Sequence, residues 1–263
     1  MSADYEILAV RYGRFHRRSS ENFFGGDSHD VAMPLDYYVW IIRGGGRAFV
    51  VDMGFAPDMA LKRGRTILRP VGEGLSESGL NPDTVTDVIV SHMHYDHVGN
   101  IDLFPQARFH IQDMEMAYCT GRCMCHATVN APFESSHVAT MVHRVFEGRV
   151  SFHDGDSELA PGLTLHRVGG HSRGLQVIRV KTQRGFVVLA SDAAHFYANM
   201  ERGKPFPVFD TLASVLDGVE RMRRLATSER HIVPGHDPLV LKRYPLAHQG
   251  LADVVRLDLD PLI

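Results

Sequence analysis

Apolar positions along this chain fall first in short alternating or continuous runs, then at helical spacing, then in short runs again. Tyr5 to Tyr12 predicts a first strand. Tyr37 to Ile42 and Arg47 to Val51 flank Gly44-Gly45-Gly46 and predict a hairpin. Thr86 to Val90 is a β-branched run ending at Ser91-His92, which predicts a buried strand that delivers its C-terminal end to a site. Arg108 to Ile111 predicts another strand. From about 113–147 the pattern changes. Met114, Met116, Tyr118, Met124, Phe133, Met141 and Phe146 sit at irregular but helix-compatible spacing, which predicts a helical insertion or lid whose apolar residues pack in the core. Strands then restart at Val150 to Phe152, Leu163 to Val168, Leu175 to Lys181 and Phe186 to Ala190. Thr211 to Ala226 carries Leu212, Val215, Leu216, Val219, Met222 and Leu225 on one helical face. Arg221, Arg223 and Arg224 near its end suit the helix dipole. His231 to Val233 is a last short strand before Pro234-Gly235-His236-Asp237. Two sets of strands followed by helices predict a single layered α/β domain over 1–263 with two sheets inside.

Composition narrows the class. The chain has 263 residues, 44% hydrophobic and 22% charged, which excludes disorder and coiled coil. A net charge of −3 offers no basic field for nucleic acid. No apolar run approaches the roughly 18 residues of a membrane span, and Ile7-Leu8-Ala9-Val10 is too short for a secretory core. Neither a membrane nor a nucleic acid is therefore expected as a partner. Three cysteines make no disulfide framework, and a reducing cytoplasm is the expected compartment. Cys119, Cys123 and Cys125, beside His126, could ligate a metal. They lack a second ligand pair at zinc-finger spacing and read as reduced thiols.

The unusual count is 16 histidines. Ser91-His92-Met93-His94-Tyr95-Asp96-His97 places four potential ligands just past a predicted strand. Side chains alternate on extended backbone, so His92 and His94 point one way and can grip one metal. Asp96 and His97, at the turn that follows, can serve a second. Imidazole with carboxylate suits zinc, and also manganese, iron or cobalt.

This H-x-H-x-D-H motif resembles that of the metallo-β-lactamase superfamily. The resemblance implies a four-layer αββα sandwich of two mixed sheets flanked by helices. It also implies two divalent metal ions, with zinc the expected metal. His171, in Gly170-His171-Ser172, is then the third ligand of the first metal, with His92 and His94. Asp192 is the bridging carboxylate, and His236 joins Asp96 and His97 on the second metal. Asp52, in Val51-Asp52-Met53-Gly54, supports the ligand shell. Two cations about 3.5–4 Å apart would lower the pKa of a shared water and supply a hydroxide nucleophile at neutral pH.

Within the superfamily the chain resembles the N-acyl homoserine lactone lactonases (quorum-quenching enzymes) and allied small-lactone hydrolases. The resemblance rests on ligand spacing, on the helical insertion and on Ser191-Asp192-Ala193-Ala194-His195-Phe196-Tyr197. It implies opening of a lactone ring by a monomer or homodimer, with Asp96 and Asp192 at the reacting centre. The alternative is another carboxylic ester or thioester, as in glyoxalase-type relatives. Those lactonases carry a substrate-facing tyrosine three residues after the bridging aspartate. Here that position is His195, and Tyr197 lies two residues on. Either His195 or Tyr197 can assist the carbonyl or the leaving group.

Two other readings compete. Gly170-His171-Ser172-Arg173-Gly174 matches the serine nucleophile elbow, but a strand-like run follows where the elbow needs a helix. A flavodiiron-type redox centre calls for a glutamate at the place of His94, and for a flavin domain that 263 residues do not hold.

Overall fold

The computed structural model describes residues 4–263. Alternation along the early strands assigns their two faces. In the strand Glu6–Phe15, Leu8, Val10 and Tyr12 join one core while Ile7 and Ala9 join another. In Leu35–Gly44, Val39 and Ile41 face the first core, and Tyr38, Trp40 and Ile42 the second. A sheet apolar on both faces must be covered on both. One cover is a layer of helices carrying Met59, Leu75, Met116 and Met141. The other is a second sheet, whose Leu163, Leu165, Ile178, Val180, Val187 and Leu189 complete the second core.

The first sheet runs Val254–Arg256, Glu6–Phe15, Leu35–Gly44, Arg47–Val51, Asp87–Ile89, Arg108–Gln112, Val150–His153, with Thr66–Ile67 paired to the end of Glu6–Phe15. The second runs Ile232–Pro234, Gly185–Ser191, Gln176–Thr182, Leu163–Arg167, Ser157–Ala160. Both mix parallel and antiparallel pairs. The helix Leu212–Leu225 covers the outer face of the second sheet through Met222, against Val177 and Val188. The four-layer αββα expectation therefore holds. The hairpin closes as expected, with Gly44 opposite Arg47 and the two-residue turn Gly45-Gly46 at φ 58° and 75°. Both positions need the left-handed region, where glycine carries no penalty.

Two expectations need correction. Val150 to Phe152 does not open the second half; it is the edge strand of the first sheet, parallel to Arg108–Gln112. Parallel neighbours need a long crossover. The helices Asp113–Cys119, Ala127–Asn130 and Ser135–Phe146 supply it. Nor do all the apolar residues of this stretch pack inside. Met116, Tyr118, Phe133 and Met141 are buried, but Met114 is 40% and Phe146 88% exposed. No helix among the described residues is long and apolar enough to cross a membrane.

One glycine ties the fold to the site. A Cβ on Gly235 would lie 2.6 Å from the Ser191 carbonyl oxygen and 3.1 Å from Asp192 Oδ1. Gly235→Ala is expected to cost about 1–3 kcal/mol through overpacking. Urea unfolding would show this as a lowered midpoint at unchanged slope, and an unshifted midpoint would refute it.

Candidate metal centre

Seven of the site residues named from the sequence meet at the carboxyl ends of strands. The loop after Asp87–Ile89 carries His92, His94, Asp96 and His97. His171 follows Leu163–Arg167, Asp192 follows Gly185–Ser191, and His236 follows Ile232–Pro234. His92, His94, His171 and Asp192 each place one ligand atom within 4.8 Å of the others, and so do Asp96, His97 and His236. A further group joins Asp192, His195 and His236. All these side chains are buried except Asp96, which is partly so.

Asp192 separates the two groups by its two oxygens. Oδ1 lies 3.3 Å from His97 Nε2 and 2.9 Å from His236 Nε2. Oδ2 lies 3.1 Å from His171 Nε2 and 3.8 Å from His92 Nε2. One carboxylate thus faces both clusters.

The hydrogen bonds behind the rings fix their tautomers. His97 Nδ1 meets Asp52 Oδ2 at 2.7 Å, His171 Nδ1 meets the Val208 carbonyl at 2.6 Å, and His236 Nδ1 meets the Asp36 carbonyl at 3.0 Å. Carbonyl and carboxylate oxygens only accept, so each Nδ1 carries a proton, and each Nε2 turns inward with a bare lone pair when the ring is neutral. His94 Nδ1 faces His171 Nε2 at 2.9 Å. His92 Nε2, His97 Nε2 and Asp192 Oδ1 are buried without a hydrogen-bond partner. Bare nitrogens converging on buried carboxylates repel one another unless a cation or a proton lies between them. This donor set fits divalent metal ions.

Protonation in the cluster is correspondingly divided. Burial and neighbouring imidazoles push His92 and His94 well below the usual histidine value. Burial opposes charge on His97 as well, but Asp192, Asp52 and Asp96 outweigh it and raise its pKa. Burial would raise the Asp192 carboxyl, yet His195, His236 and His97 hold it well below the carboxylate range.

Buried carboxylates brace the loops. Asp52 accepts from Ser91 N and Ser91 Oγ, both at 2.8 Å, as well as from His97. Its own φ is +60°, and Ser191 beside Asp192 is at +45°; both lie where non-glycine residues are strained. The sequence-based support role of Asp52 therefore has a geometry. Glu115 was missed. Its Oε1 accepts from Met93 N at 2.8 Å, and its Oε2 from Ser172 Oγ at 2.7 Å and Gly174 N at 2.9 Å. The only available signal was an acid set between two methionines, Met114 and Met116, in the segment Asp113–Cys119. Ser172 thus spends its hydroxyl on Glu115, and the strand Gln176–Thr182 follows, so the serine elbow is not built.

His195 and Tyr197 part ways. The His195 ring stacks on Phe206, centroids 3.7 Å apart, with Nε2 3.2 Å from Asp192 Oδ2. Burial pushes its pKa down to about 3, which removes the imidazolium option. Tyr197 turns into the inter-sheet core, with Arg243 Cζ 3.9 Å from its ring centroid, and does not reach the cluster. Cys119, Cys123 and Cys125 are free and belong to no metal-capable group among the described residues.

Above the cluster is a cavity of about 230 Å³. Arg17, Arg65 and Tyr95 line it with His94 and His236, and Ala131 and Pro132 of the helical crossover form its far wall. Tyr95 lay inside the histidine motif, while nothing in the sequence marked Arg17 or Arg65.

A sequence model of the metallo-beta-lactamase superfamily matches residues 32–241. An N-acyl homoserine lactonase of Bacillus cereus is 28% identical over 165 residues, covering 62% of this chain and 60% of that relative. The N-acyl homoserine lactonase AiiB of Agrobacterium fabrum is 31% identical over 134 residues, 48% of this chain and 47% of its own. The chain thus spans about three fifths or less of the length of these relatives. Among solved structures, a quorum-quenching N-acyl homoserine lactone lactonase superposes with a TM-score of 0.74 at 22% identity, covering 90% of this chain and 94% of that one. The hydrolase AbOPH superposes with a TM-score of 0.67 at 16% identity, covering 89% and 88%.

Two outcomes are expected. Elemental analysis of protein reconstituted with zinc should approach about two equivalents per chain, and Asp192→Ala should lose both, since one carboxylate serves both clusters. Binding of none after reconstitution would remove the metal assignment. Ser172→Ala should keep the metal and cost about 1–3 kcal/mol of stability from the donor lost to Glu115. A loss of activity near 10³-fold with metal retained would instead restore the serine as nucleophile.

Proposed function

The chain belongs to the metallo-beta-lactamase superfamily, and on that premise we propose that it is a metal-dependent hydrolase opening a small lactone, such as an N-acyl homoserine lactone. The observation that carries this reading is Asp192, whose two oxygens face two separate histidine groups. His92, His94 and His171 would hold one divalent cation and Asp96, His97 and His236 a second, with Asp192 placed to serve both. Zinc suits this donor set, as do manganese, iron and cobalt. When bound, such cations polarise an ester carbonyl and supply hydroxide near neutral pH. Relatives named as lactonases support the substrate class.

The chain's own groups do the rest. Asp52 and the Val208 and Asp36 carbonyls hold Nδ1–H of His97, His171 and His236, so that Nε2 is the atom each ring offers to the centre. His195 is neutral, and its Nε2 lies beside Asp192 Oδ2, where an N–H donor can steady the substrate oxygen as charge develops. The 113–147 segment serves as the lid through Ala131 and Pro132, which limits water at the bond being cleaved.

A hydrolysis screen of metal-loaded protein against lactones, thioesters, phosphodiesters and a β-lactam tests the reading. Lactone turnover is expected to exceed the others, and turnover of thioesters alone would move the enzyme to the glyoxalase-type alternative. His195→Ala should lower kcat about 10²-fold with metals retained. Tyr197→Phe should keep kcat within about twofold, since its ring lies in the core. The reverse result would return the donor role to Tyr197.

A further inference from the structure

Arg17 and Arg65 enter the metal cavity side by side for a topological reason. Arg17 follows the strand Glu6–Phe15, and Arg65 precedes Thr66–Ile67, which pairs with that strand's end through Gly13 and Arg14. Both reach Phe15. Arg65 Cζ lies 3.6 Å and Arg17 Cζ 5.9 Å from its ring centroid, and Arg17 Cζ is also 4.8 Å from that of Phe206. Arg65 donates Nε–H to Tyr95 Oη at 3.0 Å and Nη1–H to the Arg63 carbonyl at 2.6 Å. Arg17 donates Nη2–H to the Glu21 carbonyl at 2.7 Å, and its Nε is buried with no partner.

Neither guanidinium makes an ion pair among the described residues, although neighbouring arginines do. Arg11 and Arg14 share Asp36, and Arg63 holds Glu134. Asp96 and Asp192 line the same cavity but are committed to cations in the function proposed above. Stacking on aromatic rings offsets part of the desolvation of these two cations. It leaves the Arg17 Nε–H unmet, and a buried donor without an acceptor is costly. A planar guanidinium fork matches a carboxylate or a phosphate-type group. An uncharged acyl chain would offer neither fork an acceptor.

We propose that Arg17 and Arg65 form an anion subsite, so that the substrate is a lactone or ester bearing a terminal carboxylate or phosphate-type group. This rests on the hydrolase reading for the reacting end alone; the subsite itself is a binding claim.

The test uses three homoserine lactones whose N-acyl tails differ only at the end: N-butanoyl (methyl), N-succinyl (carboxylate) and N-(3-phosphonopropanoyl) (phosphonate). With metal-loaded protein, kcat/KM for an anionic tail should exceed that for the methyl tail by about tenfold or more, mainly through KM. Which anionic tail leads distinguishes carboxylate from phosphate-type recognition. Arg17→Gln and Arg65→Gln should each lower that ratio by about tenfold, and Arg17→Lys should restore part of it. Calorimetric titration of the three ring-opened ligands, which cannot turn over, should show the same order and the same dependence on the arginines. Equal or better use of the methyl tail, or a ratio unmoved by both Gln variants, overturns the subsite. If no lactone is hydrolysed yet the ring-opened ligands with anionic tails bind more tightly than the methyl-tailed one, and that difference depends on the arginines, the hydrolase reading fails and the subsite stands.

Discussion

The contact from His97 Nδ1 to Asp52 Oδ2, 2.7 Å long, is the point from which the centre is built. Asp52 follows a central strand of the first sheet, Arg47–Val51, and its own N–H donates to the Ile89 carbonyl. Its carboxylate fixes the His97 ring and the start of the ligand loop at Ser91. Ser191 Oγ in turn lies 2.8 Å from Ser91 Oγ, one residue before Asp192. A single buried carboxylate therefore sets the spacing between ligands carried by two different sheets. The strained φ values at Asp52 and Ser191 show that this spacing is imposed against local backbone preference.

The seam between the sheets is closed by polar groups as well as by the apolar core. Gln176, fully buried, donates to the Val90 and His110 carbonyls and accepts from Gln112 Nε2 at 2.8 Å. Its backbone N–H donates to the Ser91 carbonyl. Glu115 does the same one layer up, holding the His92–His94 loop to the His171 loop. Each is a buried polar group with its partners met, which rigidifies the region it joins. The His195 ring has less backing: its Nδ1 is buried and unpartnered, and stacking on Phe206 with the contact from Nε2 to Asp192 Oδ2 sets its plane.

How much was legible in the sequence follows from what is local. Strand periodicity, the Gly45-Gly46 turn and the Leu212–Leu225 helix are set within a few residues, and they could be read. The metal-capable set was legible because His92, His94, Asp96 and His97 share one short loop. The membership of Val150–His153 in the first sheet was not, since pairing across a 40-residue crossover leaves no periodic mark (about that length, by the ranges of its strands). The same holds for Tyr197 against His195. Two residues apart on a turn into a short helix, they point to opposite sides, and only packing decides which faces the site. Arg17, Arg65 and Glu115 reach the site by tertiary pairing alone.

The hydrogen bond from His236 Nδ1 to the Asp36 carbonyl joins residues separated by 200 positions, and Ser91 meets Ser191 across 100. Contacts this distant in sequence form only after the intervening chain has lost most of its freedom. The centre therefore has no counterpart in any fragment of the chain. Neither half alone holds either of the two clusters that Asp192 faces, because His92, His94, Asp96 and His97 come from one half and His171, Asp192 and His236 from the other. A nascent polypeptide would therefore offer a cation its full set of ligands only after His236, near the end of the described chain, has been made.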